Sequence, residues 1–198
     1  MQSADFKLEH VPVYILAGGQ SRRFGSDKAR ATLDGKPLIL HVADGLRLFA
    51  SSITAVAQVP EKYSDLGLRT IADLQPALGP VGGLLTALAD CAAPWLLLTS
   101  CDLVGVARSS IQALLTADRR TAQVIAFKSG LWQPMPALYH RSLSPLVSQV
   151  ISSDRRSMQL LLDSAVVLPL PHAAASADAR GVNTPGELDG IHRSRHGA

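Results

Sequence analysis

Short apolar runs alternate with amphipathic helical segments along most of this chain, and this alternation constrains the fold more than any other feature. The first run, Val11–Leu16, ends at two glycines, as expected of a buried strand stopped by a turn. Over residues 37–50, apolar side chains recur at spacings of four and three, which predicts an amphipathic helix that begins at Pro37. Strands that alternate with helices form a parallel sheet covered on both faces. The chain is therefore predicted to be an α/β protein with a mostly parallel sheet.

The other predicted elements follow the same rhythm, less regularly in the second half. Strands are predicted at residues 53–59, 68–72, 95–99, 123–127 and, as an edge strand, 166–170. Helices are predicted at residues 82–91, 109–117, 142–151 and 156–164. A short or antiparallel strand is expected around Gly130, Pro134 and Pro136, and a loop at residues 171–180. A capping box at residues 184–187 predicts a terminal helix.

Length and composition favour one folded domain. The chain has 198 residues, of which 47% are hydrophobic and 18% charged, which excludes a disordered protein. We expect a disordered N-terminus at residues 1–10, one domain at residues 11–191 and a loose basic tail at residues 192–198. The N-terminal segment is polar and no apolar run is long enough to cross a membrane, so a cytoplasmic protein is predicted. Two cysteines, Cys91 and Cys101, agree with a reducing compartment and cannot build a zinc site between them.

The positive charge is concentrated in one loop. The formal net charge is only +3, yet residues 22–30 contain four basic residues opposed only by Asp27. Gly18, Gly19 and Gly25 in the same segment let backbone N–H groups approach a phosphate closely. The loop follows the first strand, at the sheet edge where open α/β proteins bind ligands. These features predict a nucleoside triphosphate site, and they argue against a nucleic-acid partner because the aromatic residues do not interleave with basic ones.

Two familiar phosphate-binding motifs do not fit this loop. A Walker A sequence requires four residues between its glycines and a Lys after the second, whereas five residues separate Gly19 from Gly25 and Ser26 follows. The dinucleotide fingerprint fails because Gln20 stands where its second glycine would be. The loop is therefore of a different nucleotide-binding type.

Residues 16–29, LAGGQSRRFGSDKA, resemble the signature of the molybdenum cofactor guanylyltransferases, the MobA family, with Phe24 where Met is usual. Six further segments resemble motifs of that family in the same order along the chain. They are DGKPL at 34–38, TIAD at 70–73, GPVGG at 79–83, SCD at 100–102, QPMPALY at 133–139 and NTP at 183–185. Seven ordered matches identify the chain as a member of the family more firmly than one loop could.

The resemblance implies a single three-layer α/β/α Rossmann-like nucleotidyltransferase fold. It also implies Mg²⁺-dependent transfer of GMP from GTP to molybdopterin, which forms a guanine dinucleotide cofactor and releases pyrophosphate. The partners would be these small molecules and, transiently, proteins that insert the cofactor, with neither nucleic acid nor membrane involved. Three alternatives stay open: a cytidylyltransferase on the same cofactor, another MobA-like nucleotidyltransferase, and a non-catalytic module that binds nucleotide or cofactor.

The resemblance also assigns the site. Lys28 and Arg23 would neutralise charge on the leaving pyrophosphate, and Asp102 would be catalytic as the Mg²⁺ ligand. The other residues implied to bind the nucleotide or its phosphates are Leu16, Ala17, Gly18, Gly19, Ser21, Asp73, Gly79, Gly83 and Asn183. Asp73 would lie beside the guanosine, and Gln58 stands near the position of an Asn that contacts the nucleotide in the family.

Overall fold

A computed structural model of the chain describes residues 10–18, 27–171 and 180–181. The strands are β1 (Val11–Leu16), β2 (Thr32–Leu33), β3 (Lys36–Pro37), β4 (Ala50–Ala57), β5 (Arg69–Ala72), β6 (Trp95–Ser100), β7 (Leu103–Val104), β8 (Val124–Ser129), β9 (Leu131–His140), β10 (Val167–Pro171) and β11 (Arg180–Gly181). The α-helices are α1 (Leu38–Leu46), α2 (Gly79–Asp90), α3 (Arg108–Thr116), α4 (Ser144–Ser152) and α5 (Met158–Ser164). Single 3-10 turns lie at Lys28–Arg30, Ser64–Leu66 and Arg141–Leu143.

A seven-stranded sheet forms the centre of the molecule, with the strand order β10-β8-β9-β6-β1-β4-β5. Strand β9 is antiparallel to both of its neighbours, and every other pair of neighbours in the sheet is parallel. The prediction of a mostly parallel sheet is therefore confirmed. Two short antiparallel pairs, β2 with β3 and β7 with β11, lie outside the main sheet.

Helices cover both faces of the sheet and enclose two apolar cores. On one face, α1 and α3 pack against side chains such as Val13 and Ile15 of β1. On the other face, α2, α4 and α5 pack around Tyr14, which lies between Val13 and Ile15 in β1. Successive side chains of a strand point to opposite faces, so β1 contributes to both cores. The three-layer α/β/α architecture is confirmed.

Most element positions agree with the sequence, and the differences have physical causes. Helix α1 ends at Leu46, before the predicted residue 50, because the chain turns there and brings Phe49 into the core. Strand β9 is ten residues long rather than short. Its Pro134 and Pro136 precede the segment that pairs with β6, residues 137–140, so their missing N–H groups remove no hydrogen bond to that strand.

Several predictions lie on residues outside the described ones. These are the terminal helix that the capping box at residues 184–187 opens, most of the loop at residues 171–180, and both chain ends. They stay predictions. No described helix combines the length and the hydropathy that a membrane span requires.

Candidate active site

The carboxyl ends of β1, β4 and β6 meet at one edge of the sheet and open into a cavity of about 640 Å³. Leu16, near the end of β1, pairs with Val56 on one side and Ser100 on the other. From β1 the chain proceeds outward to β4 and β5, and it then crosses to the other side of β1 to form β6. Such a switch point is where open α/β sheets bind ligands. The cavity lies where the sequence predicted the nucleotide.

Lys28 and Asp102 form an ion pair inside this cavity. Lys28 Nζ lies 2.5 Å from Asp102 Oδ2, and the side chains are only 16% and 17% exposed. The other oxygen, Oδ1, accepts a hydrogen bond from the hydroxyl of Ser100 at the end of β6. The fold thus brings together a cation and a carboxylate that are 74 residues apart in the sequence. Both groups line the cavity, so a phosphate or a metal ion bound there would be able to contact them.

The other described residues that the sequence assigned to the site also line the cavity. They are Leu16, Ala17, Gly18, Asp73, Gly79 and Gly83. The carbonyl of Gly18 accepts a hydrogen bond from Gln58 Nε2 at 2.8 Å, so Gln58 supports the end of β1 from within the same cavity. Four assigned residues lie outside the described residues: Gly19, Ser21, Arg23 and Asn183.

Asp73 has a structural task in addition to its place at the cavity. Its Oδ1 accepts hydrogen bonds from the Thr86 hydroxyl at 2.9 Å and from the Gln75 N–H at 3.1 Å. The Thr86 contact ties the end of β5 to helix α2. Asp73 is therefore held in a fixed orientation before any ligand arrives.

Two glycines let α2 pack closely, Gly83 against the end of β1 and Gly82 against the segment that precedes the helix. A Cβ at Gly83 would lie 2.7 Å from Leu16 Cδ2, and a Cβ at Gly82 would lie 2.9 Å from Leu78 Cβ and 3.1 Å from the Gln75 carbonyl oxygen. The predicted helix start at residue 82 is wrong by one turn, since α2 begins at Gly79. Gly79 has a φ of 63°, a conformation that glycine adopts without steric cost.

We expect Gly82→Ala to lower the free energy of unfolding by about 1–3 kcal/mol, because the new methyl group meets backbone as well as side-chain atoms. Urea denaturation measures the change. Gly45→Ala is the matched control: Gly45 lies within α1, and a Cβ there has nothing within 4 Å. The control should stabilise the protein by about 0.5–1 kcal/mol. Equal stabilisation by both substitutions would contradict the close packing of α2.

Sequence reasoning missed a group of residues beside the cavity: Asp27, Lys62 and Tyr63. Asp27 Oδ2 lies 2.9 Å from Lys62 Nζ, and the Tyr63 hydroxyl lies 3.2 and 3.1 Å from Oδ1 and Oδ2 of Asp27. Asp27 belongs to the signature segment and could have been singled out there. Lys62 and Tyr63 lie between β4 and β5, where the sequence has neither periodicity nor a motif.

Cys101, the residue before Asp102, lines the cavity but is unsuited to nucleophilic catalysis. Its side chain is buried, and burial, aided by the charge of Asp102, raises the pKa of the thiol to about 12. The reactive form of cysteine is the thiolate. Cys101 therefore stays a neutral thiol near pH 7 and contributes packing.

The donor set fits a metal that is held mainly by substrate. Among the described residues, no group of three or more His, Cys, Asp or Glu side chains could hold a metal ion by itself. Asp102 supplies one carboxylate at the cavity. Mg²⁺ is commonly bound through one or two carboxylates together with water and substrate phosphates. A carboxylate that lines the cavity agrees with that mode of binding.

A family model described as the MobA-like NTP transferase domain matches residues 13–167. The chain belongs to this family. Curated relatives named probable molybdenum cofactor guanylyltransferase include one from Synechococcus elongatus, 33% identical over 79% of this chain and 86% of its own length. Another, from Deinococcus radiodurans, is 37% identical over 74% of this chain and 76% of its own length. The family resemblance that the signature loop and its six companion motifs indicated is confirmed.

Solved structures show the same fold. Molybdopterin-guanine dinucleotide biosynthesis protein A from Archaeoglobus fulgidus superposes with a TM-score of 0.79 at 21% identity, covering 95% of this chain and all of that one. A CMP:2-keto-3-deoxy-manno-octonic acid synthetase in complex with CTP superposes with a TM-score of 0.73 at 16% identity, covering 94% of this chain and 98% of that one. These structures show the predicted α/β fold, and the family model together with the curated relatives shows that the chain is a nucleotidyltransferase.

Proposed function

We propose that this chain transfers GMP from GTP to the terminal phosphate of molybdopterin and releases pyrophosphate. The observation that carries the proposal is the Lys28–Asp102 pair, partly shielded from solvent in the cavity at the switch point of a MobA-like fold. The curated relatives that are named for guanylyl transfer support the choice of GTP and of molybdopterin as the substrates.

The site is suited to this reaction because the reaction requires charge control rather than a strong base. A phosphate oxygen of the acceptor attacks the α-phosphorus of GTP, and the bond from that phosphorus to the oxygen that bridges the α- and β-phosphates breaks. That oxygen leaves with pyrophosphate. The attacking oxygen is already anionic, so catalysis depends on positioning and on neutralising the charge that develops on the leaving group. Lys28 supplies a cation at the cavity for that charge, and Arg23 is proposed to supply another.

Asp102 is proposed to hold Mg²⁺ together with phosphate oxygens of the substrate, and that ion would neutralise phosphate charge when it is bound. The remaining proposed contacts to nucleotide and phosphates come from Leu16, Ala17, Gly18, Gly19, Ser21, Asp73, Gly79, Gly83 and Asn183. The proposal includes action in the cytoplasm and transient contact with cofactor-insertion proteins.

Pyrophosphate release tests the proposal most directly. The purified chain is incubated with Mg²⁺, molybdopterin and each of the four ribonucleoside triphosphates in turn, with a matched reaction that lacks molybdopterin. We expect release with GTP that depends on molybdopterin. Release with CTP and none with GTP would overturn the guanylyl assignment in favour of a cytidylyltransferase. Binding of nucleotide without release from any triphosphate would favour the non-catalytic module.

A further inference from the structure

Tyr63 is a fully buried side chain whose hydroxyl faces residues at both ends of the signature loop, residues 16–29. Its relative exposure is 0%, and its hydroxyl lies 3.1 and 3.2 Å from the two carboxylate oxygens of Asp27 and 3.4 Å from the carbonyl oxygen of Ala17. Ala17 is near the start of the loop and Asp27 is near its end. Burial, followed by the charge of Asp27, raises the pKa of the Tyr63 hydroxyl well above its usual range, so the group stays protonated and donates.

The backbone of Tyr63 is anchored as firmly as its side chain. Its N–H donates to the buried Thr70 hydroxyl at 3.2 Å, and its carbonyl accepts from the N–H of Leu68 at 3.2 Å. Thr70 belongs to β5, a strand of the central sheet. Tyr63 therefore connects strand β5 of the sheet to Ala17 and Asp27, the two residues that its hydroxyl contacts.

Asp27 connects Tyr63 to the turn that carries Lys28. Its Oδ1 accepts from the N–H of Ala29 at 3.1 Å and so caps the 3-10 turn Lys28–Arg30. Lys62 Nζ, 2.9 Å from Oδ2, adds a charge-assisted contact to the same carboxylate. The start of the turn that carries Lys28 is thus fixed by one carboxylate with several donors.

The other end of the turn is fixed from the same segment. Arg30 forms two hydrogen bonds of 2.8 Å with the carboxylate of Asp65 and one of 2.7 Å with the carbonyl oxygen of Lys62. Lys62 also donates to Gln58, which holds the carbonyl of Gly18. Residues 58–65 therefore bind the chain near the start of the signature loop, at Gly18, and just after its end, at Arg30.

We propose that Tyr63 is a positioning residue that acts through Asp27 to hold Lys28 beside Asp102 in the cavity. The proposal rests on the phosphate-binding role of Lys28 in the proposed function. Phe would keep the ring of Tyr63 and its packing in the core, so the specific contribution of Tyr63 lies in its hydroxyl. A displacement of about 1 Å in a group that stabilises a transition state is enough to cost a large factor in rate.

The test is a double-mutant cycle between Tyr63→Phe and Lys28→Ala. The readout is the ratio of affinities for the triphosphate and the monophosphate of the same nucleoside, measured by calorimetry, together with kcat and KM where transfer occurs. We expect Tyr63→Phe alone to lower the ratio and kcat by about tenfold, the effect of losing one buried hydrogen bond to a charged group. In the Lys28→Ala background we expect the same substitution to change either quantity by less than about twofold, because the group it positions is gone.

Tyr14→Phe is the matched control for stability. Tyr14 is also buried, and its hydroxyl also donates to an aspartate, Asp90 Oδ2 at 2.7 Å, but neither residue lines the cavity. Both substitutions should lower Tm by a few degrees, about 2–6 °C. Only Tyr63→Phe should change the affinity ratio. Lys62→Met removes a second donor from Asp27, together with the hydrogen bond of Lys62 to Gln58, and we expect it to lower the ratio in the same direction.

The outcomes separate this proposal from the proposed function. Equal losses from Tyr63→Phe with and without Lys28, or an unchanged affinity ratio, would overturn the positioning role. Wild-type protein that binds a triphosphate but transfers nothing to molybdopterin would overturn the proposed function, and the affinity ratios would still decide the role of Tyr63. Wild-type protein that binds triphosphate no better than monophosphate would overturn both.

Discussion

Asp102→Ala is expected to lower kcat for nucleotidyl transfer by about 10²–10³-fold, the usual effect of removing one preorganised electrostatic group from an active site. The substitution removes the carboxylate that pairs with Lys28 at 2.5 Å and that accepts a hydrogen bond from Ser100. It leaves the cavity walls from β1, β4 and α2 in place. Nucleotide binding should therefore persist at reduced affinity, and circular dichroism should show an unchanged fold. Single-turnover pyrophosphate release and calorimetric titration with the nucleotide separate the two effects.

Two further variants show whether the charge of Asp102 is responsible. Asp102→Asn keeps the size of the side chain and an oxygen that can accept from Ser100, but it removes the negative charge. If the charge is responsible, this variant should lose transfer almost as completely as the alanine variant. Asp118→Ala is the matched control, because Asp118 is an exposed carboxylate paired with Arg120 and does not line the cavity. That control should retain the wild-type rate. Transfer by Asp102→Ala at a rate close to wild type would show that the assignment of Asp102 is wrong.

The sequence could predict the fold because its strongest signals come from local burial. Strand β1 has the predicted limits, Val11–Leu16, since a strand buried on both faces must be apolar throughout and the glycines after it end the run. Strand β9 was underestimated because its prolines imply a break when only one chain segment is considered. The pairing of β9 with β6 and β8 uses no N–H group at Pro134 or Pro136, so the strand continues through both prolines.

The site was predictable where a motif and the end of a strand coincide. Lys28 and Asp102 belong to motifs and follow β1 and β6, whose neighbouring positions in the sheet bring the two side chains together. Tyr63 and Lys62 could not be found in this way, because their importance depends on a contact with Asp27 across 36 and 35 residues of sequence. From the sequence alone, a buried tyrosine in an aperiodic segment cannot be distinguished from any other core residue. The structure distinguishes it by showing the partner of its hydroxyl.

Lys28→Ala is expected to weaken binding of GTP by about 10–100-fold and binding of GMP by less than about threefold. A charge-assisted contact between an ammonium group and a phosphate contributes about 1.5–3 kcal/mol, and every 1.4 kcal/mol corresponds to a tenfold change in affinity. The proposed contact is with the β- and γ-phosphates, which GMP lacks. Calorimetric titration of both nucleotides in the presence of Mg²⁺ measures the difference.

Two variants show whether the loss comes from this one cation. Lys36→Ala also removes a lysine that pairs with an aspartate, Asp44, but this pair does not line the cavity, so neither affinity should change. Lys28→Arg keeps the charge and alters its geometry, and we expect it to recover part of the GTP affinity because charge alone supplies part of the contact. Equal losses of GTP and GMP affinity in Lys28→Ala would mean that Lys28 shapes the cavity through Asp102 rather than binding the triphosphate. In that case the positive charge of the signature loop would have to reach the phosphates through its arginines.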